Sequence, residues 1–419
     1  MTGREFLLGL PAAQNAGRRV GITSVCSAHP WVIEAALREA LETGQVALIE
    51  ATCNQVNQDG GYTGMTPAGF RDFVLGIAGK VGFPAAQLVF GGDHLGPNPW
   101  RKLPADQAMA KALVMTRAFA AAGFVKLHLD ASMACAGDPV PLPAAVIAER
   151  AALLAQAADA GAVDAPCYVV GTEVPVPGGA AEELGDLEVT RAMDAAATLA
   201  LHKAAFGALG LSAYDRVLGL VVQPGVEFGH ANVIAYQPGK AAGLVGFRQG
   251  KSVVYEAHST DYQSAAALAG LVQGGFAILK VGPGLTFALR EALYGLDQIA
   301  GQIGFYEAGA LPKAMEAVML ANPLDWQAYC HGDADQQRIQ RHFSYSDRIR
   351  YYWNQPQARA AVDRLMAALQ GVTIPETLIS QYLPRLYPAV MAGALPGAAD
   401  LVLAAIRQAL APYSAACRG

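Results

Sequence analysis

The sequence has 419 residues, of which 53% are hydrophobic and 16% charged; that is ample apolar material for a buried sheet and too apolar for a disordered chain. A formal net charge of −5, with no long run of Lys or Arg, leaves no electrostatic footprint for nucleic acid or an anionic membrane. The length exceeds an ordinary domain but suits an α/β barrel, which often runs past 250 residues as one unit.

In chain order, the opening MTGREFLLGLPAAQNAG has an apolar stretch too short for a signal peptide, and no later segment offers a spanning apolar run; a cytoplasmic location is expected. Eight short β-branched runs follow, separated by Ala-rich helical stretches: GITSV (21–25), VALIEAT (46–52), LVFGGD (88–93), FVKLHLD (124–130), CYVVGTE (167–173), VLGLVVQ (217–223), SVVYEAH (252–258) and FAILKV (276–281). Eight continuous apolar strands with helical crossovers predict a (β/α)₈ barrel. The rival, a doubly wound sheet, lacks a G-x-G-x-x-G after the first strand. Residues 1–300 are expected to form the barrel, and 301–419 a helical extension packed on it. The six cysteines, without a C-x-x-C pair, read as free thiols.

Polar residues gather at the C-terminal ends of the runs: Glu50, Asp93, His94, His128, Asp130, Glu173, Gln223, Glu256, His258 and Lys280. In a barrel, that end is the catalytic face. The loop CNQVNQDGGY (53–62) is rich in amides, which suit a polyol, and Asn54 and Gln55 are candidate contacts to its hydroxyls. His128 and Asp130 alternate with apolar neighbours and so face the interior, where they bind substrate hydroxyls or satisfy one another. Glu173 is placed similarly on the fifth strand. Ser259 and Thr260 supply hydroxyls, while Gly282, Gly284 and Thr286 open a helix whose free N–H groups suit a phosphate.

The strings GITSVCSAHPWVIEAAL, IEATCNQVNQDGGYTGMTPAGF, GGDHLGPNPW, VVQPGVEFGHANVIAYQPGKA, YEAHSTDYQS and LKVGPGLTFALREALYGLDQI, with SYSDRIRYYW in the tail, resemble those of the D-tagatose-1,6-bisphosphate aldolase GatZ/KbaZ family. The resemblance implies a fold like that of class II, metal-dependent aldolases. It implies either a 4-epimerase of a ketose or ketose phosphate, or an accessory subunit of a separate aldolase. Asp93-His94 is similar to the Asp-His pair of those aldolases, in which the histidine binds metal and the aspartate moves a proton. His258, in HSTDYQ, resembles their His-Gly-x-Ser ligand turn. The pattern departs at Asn232-Val233-Ile234, where the aldolases read N-V-H-G.

His230 lies in the loop after the sixth strand. With His94 and His258 it makes three imidazoles from three strand ends, enough to hold a divalent ion, Zn²⁺ above all, with a position left open; the alternative is three uncoordinated histidines lining a polar pocket. Glu227 is a fourth ligand, a second acid/base beside Asp93, or an exposed loop carboxylate.

The reaction is constrained by chemistry. In a 2-ketohexose the hydrogen on C4 is not α to the carbonyl, so inversion there needs either transient oxidation or cleavage and re-formation of C3–C4. No dinucleotide fingerprint supports a nicotinamide cofactor. Retro-aldol and aldol steps need a metal and a carboxylate, which favours a 4-epimerase interconverting D-tagatose 6-phosphate and D-fructose 6-phosphate, or the free sugars. The alternative is a non-catalytic partner of an aldolase subunit; a homo-oligomer is also open. A sugar kinase finds no G-x-x-x-x-G-K-[ST] loop.

Overall fold

In the computed structural model, which describes residues 1–172, 187–304, 306–393 and 397–418, all eight expected runs become strands of one closed parallel barrel. They are β1 (Ile22–Cys26), β2 (Ala47–Thr52), β3 (Leu88–Leu95), β4 (Lys126–Leu129), β5 (Cys167–Val170), β6 (Val217–Val221), β7 (Val254–Ala257) and β8 (Ile278–Val281). Closure is made by β1 against β8, with Ile22 opposite Ile278 and Val25 opposite Val281. Helices cover the outside, so the strands are buried on both faces and need no polar alternation outward.

Local signals set the crossovers. Thr66 caps the helix Pro67–Val81 through the Gly69 N–H, Pro67 takes the first turn, and Gly82 ends the helix in a left-handed conformation. Ser264 caps Ala265–Gln273 in the same way.

Both ends of the chain belong to the barrel's packing. The first helix, Gly3–Asn15, starts at a capping box of Thr2 and Glu5 and buries Leu7 and Leu10 against Ile22, Leu48, Val89, Leu218, Val254 and Ile278, closing the N-terminal mouth. The last helix, Ala398–Arg418, packs against the helices Pro30–Thr43, Ala265–Gln273 and Pro283–Ile303 and against β1. Its Cys417 carbonyl accepts the Gly21 N–H, and the Tyr413 hydroxyl donates to the Thr260 carbonyl at 2.6 Å. Leu401, Val402 and Ile406 share one apolar core with Ile33, Leu289 and Leu296, so the tail and the barrel are continuous. Among the described residues no helix is long and apolar enough to cross a membrane.

Two local features aim side chains into the C-terminal mouth. The β3–β4 pairing shifts register between Gly92 and Leu95, as a bulge does beside many active sites, and this is where Asp93 and His94 sit. Among the described residues four non-glycines have positive φ, and His94 (φ 48) and Ser259 (φ 52) flank the mouth; such strain persists only where the surroundings impose it.

Candidate active site

Three imidazoles meet at the mouth. The ring of His94, from β3, lies 5.1 Å from that of His128 on β4 and 5.0 Å from that of His258 just after β7, and the latter two are 5.2 Å apart. Donor atoms of Asp93, His128, Glu256 and His258 all lie within 4.8 Å of one another.

Each ring is oriented by a carboxylate. His94 Nδ1 contacts Asp130 Oδ2 at 2.8 Å, and Asp130 is itself fixed by the N–H and hydroxyl of Ser132. His258 Nε2 meets Glu256 Oε1 at 3.0 Å. His128 Nδ1 meets Asp93 Oδ1 at 2.9 Å and also receives the His94 backbone N–H at 3.3 Å, so both contacts fall on Nδ1 and neither reaches the ring's Nε2. That atom is buried and has no hydrogen-bond partner among the described residues, a costly state unless something else coordinates it.

Below the rings runs a buried ionic layer. Lys126 Nζ bridges Glu50 Oε1 and Glu256 Oε2, both at 2.6 Å. Lys280 Nζ joins Glu50 to Asp93, the latter at 2.8 Å. Glu50 crosses the barrel because residue 91 is glycine: a Cβ there would stand 2.3 Å from Glu50 Oε1.

Charges follow from these contacts. Burial pushes the Asp93 carboxyl up, but His94 and Lys280 outweigh it and hold the group well below the ordinary range. Burial likewise opposes the charge of His94, yet Asp93 and Asp130 raise its pKa. Burial dominates at His258 and lowers it to about 3, the neutral form that ligation needs. Apart from the imidazoles, the carboxylates of Asp93, Asp130, Glu50 and Glu256 outnumber the ammoniums of Lys126 and Lys280 by two. The donor set, the partnerless nitrogen and this charge are compatible with a divalent metal.

Above the cluster lies an open cavity of about 80 Å³ lined by Cys26, Asn54, Gln55, Tyr62, Asp93, His94, His258, Ser259, Asp261, Lys280 and Arg350, among others. Asn54 and Gln55 therefore face it, although Gln55 Oε1 also accepts the Thr52 N–H at 2.8 Å.

Several expected placements change. His230 is not among the converging rings: it sits in the turn of a two-stranded ribbon, Glu227–Phe228 with Val233–Ile234, and bonds Ser344 Oγ and the Tyr329 carbonyl, each at 2.7 Å. Both of its nitrogens are engaged by the tail, and His128, expected as a hydroxyl contact, stands in its place. Asp130 is the orienting partner of His94 rather than part of the cavity wall. Glu227 is buried, not an exposed loop carboxylate; it accepts the Phe228 N–H at 3.0 Å and a hydrogen bond from Ser259, and burial raises it to about 7. Glu173 lies outside the described residues.

The expected phosphate seat is filled from within. Asp261 Oδ1 accepts the N–H groups of Gly282 at 3.0 Å and Gly284 at 2.7 Å. The Thr260 hydroxyl donates to the Lys280 carbonyl and that of Thr286 to Asp347 Oδ2. The helix N-terminus already has its anion, a protein carboxylate. Of these residues Ser259 lines the cavity, its side chain hydrogen-bonded to Glu227. Sequence reasoning gave no part to Lys126, Tyr62 or Arg350. Lys126 was visible as the earlier member of the alternation that includes His128 and Asp130, whereas Arg350 arrives from the tail and no local pattern marks it.

Known proteins match along almost the whole chain. A protein of Agrobacterium fabrum named D-tagatose 6-phosphate 4-epimerase is 54% identical over 418 residues, covering 98% of each chain. The D-tagatose-1,6-bisphosphate aldolase subunit GatZ of Salmonella dublin is 52% identical over 409 residues, covering 96% of this chain and 97% of its own. A crystal structure from Sinorhizobium meliloti 1021, described as a probable tagatose 6 phosphate kinase, is 56% identical with a TM-score of 0.88, covering 95% of this chain and 100% of that one. The family described as D-tagatose-1,6-bisphosphate aldolase subunit GatZ/KbaZ-like matches residues 7–418. With its barrel and these relatives, the chain belongs to the GatZ/KbaZ-like family.

Proposed function

We propose that this protein is a metal-dependent 4-epimerase that interconverts D-tagatose 6-phosphate and D-fructose 6-phosphate by breaking and re-forming the C3–C4 bond. The observation that carries the reading is the convergence of His94, His128 and His258 around a carboxylate, Asp93, that faces the cavity. The name of the Agrobacterium fabrum relative agrees with it. A divalent ion held by the three imidazoles, Zn²⁺ best suited to nitrogen donors, would supply Lewis-acid polarisation of the ketose carbonyl.

The chain's own groups handle the protons. Asp93, its charged form favoured by His94 and Lys280 and fixed by His128 and Lys280, accepts the proton of the C4 hydroxyl as the C3–C4 bond breaks and its electrons pass to C2–C3. The aldehyde fragment turns its other face, C3 attacks again, and O4 takes a proton from the opposite side. Glu227, raised to about 7 and hydrogen-bonded to the cavity-lining Ser259, is the acid/base for that second face. Asn54 and Gln55 bind hydroxyls and retain the fragments. The Lys126 and Lys280 ammoniums hold Glu50, Glu256 and Asp93 in place.

The test is direct. The purified wild-type chain should convert D-tagatose 6-phosphate to D-fructose 6-phosphate without a second polypeptide, without added nicotinamide and without releasing three-carbon fragments. Asp93→Asn should keep its metal and lose activity on the order of 10²-fold or more; full activity in that variant sinks the mechanism. The name of the Salmonella dublin relative favours a second reading, an aldolase subunit. An inert wild-type chain that raises the turnover of a separate aldolase would establish that role instead.

A further inference from the structure

The cavity above the imidazoles is small for a phosphorylated hexose, since small-molecule sites run from roughly 300 Å³ upward. It does not end there. Cys26, Gln55, Tyr62, Gly282 and Arg350 also line a second chamber of about 290 Å³, between the loops after β1 and β2 and the tail. Its far wall carries Arg359.

Two guanidiniums therefore face this chamber, and neither makes an ion pair within 4 Å among the described residues, although the Asp347 and Asp261 carboxylates act on Arg350 from farther off. Arg350, half-buried, donates only to neutral oxygens: the carbonyls of Ser346 and Asp347 and the Tyr351 hydroxyl. Arg359 is exposed in the first turn of the helix Pro356–Ala368, where the helix dipole opposes a cation. His29 accepts the Trp31 N–H at Nδ1, so its ring, kept neutral by burial, carries its proton on Nε2 as a further donor in the wall. The glycine turn after β8, the other place for an anion, is filled by Asp261.

We infer that the second chamber is a phosphate-monoester subsite in which Arg350 and Arg359 clamp the 6-phosphate of the substrate. The inference rests on the epimerase reading for the identity of the anion. The spacing fits that chemistry, because the phosphorus lies only two carbons and one ester oxygen beyond C4, and the chamber adjoins the imidazole cluster across one layer of shared side chains. Planar guanidiniums suit a phosphate dianion through paired N–H donors.

The experiment compares the wild type with R350Q and R359Q in two measurements: the ratio of kcat/KM for D-tagatose 6-phosphate to that for D-tagatose, and the affinity for inorganic phosphate by calorimetry. Each variant should lose roughly 10- to 100-fold of the preference for the phosphorylated sugar and a similar factor in phosphate affinity, the scale of a lost charge-assisted hydrogen bond. R359Q alters an exposed side chain, so an unchanged melting temperature separates its effect from misfolding. Preference and phosphate affinity that stay at wild-type values in both variants overturn the subsite. A wild-type chain inert toward both sugars would overturn the epimerase reading alone; phosphate calorimetry then decides the chamber, weakened binding in the variants supporting it and equal or absent binding overturning it.

Discussion

Glu227 shows how burial, with the nearby Asp261 charge, equips a side chain. Its carboxyl is raised from its ordinary value to about 7 because little but a backbone N–H and the Ser259 hydroxyl compensates for the lost water. The folded state therefore binds a proton more tightly than the unfolded chain, so stability falls as pH rises between about 4.5 and 7. Glu227→Gln should remove that slope, which has a ceiling of about 1.4 kcal/mol per pH unit for one proton. Thermal unfolding of both proteins from pH 4.5 to 8 checks it: the variant should gain on the wild type as pH rises, and parallel curves would refute the assignment. At this scale Asp93, His94 and His258 were legible because strand ends fix where they point. His230 was misread because a ribbon turn, whose direction no periodicity encodes, swings it to Ser344 and Tyr329.

The ionic layer is a property of strands rather than of single residues. Glu50, Lys126, Glu256 and Lys280 come from β2, β4, β7 and β8, and they interlock only because β3 offers no side chain at Gly91. Gly91→Ala should push Glu50 off its lysines and cost about 1–3 kcal/mol, as overpacking does. Urea unfolding measures it, and a stability within error of wild type would show that Glu50 has room to move. The strand positions were readable from apolar runs alone, since parallel strands covered on both faces leave little else. The loops after β7 and β8 were not. Their glycines read as a phosphate seat, but the N–H groups there go to Asp261, whose approach depends on a turn in which Tyr262 also has positive φ.

For the whole molecule, the tail is as much part of the barrel as the strands. The helix Ala398–Arg418 buries Leu401, Val402, Ile406 and Leu410 in the shared core, and its loss would uncover apolar faces of three barrel helices. A chain ending before residue 398 should lose the cooperative thermal transition by circular dichroism, and a retained sharp transition would contradict this role. The helical character of the tail was evident from its periodicity; which faces it covers was not, because that depends on contacts hundreds of residues apart, such as Gly21 with Cys417.

This packing also orders events during synthesis. All eight strands have been made by residue 281, yet Arg350 and the helix that packs on β1 are made later, so the strand-borne imidazoles exist in the chain before the segments that close the fold around them. The barrel therefore reaches its cooperative fold only after translation has passed the tail, and the helix Ala398–Arg418 acts as the bolt that holds the closed strands together.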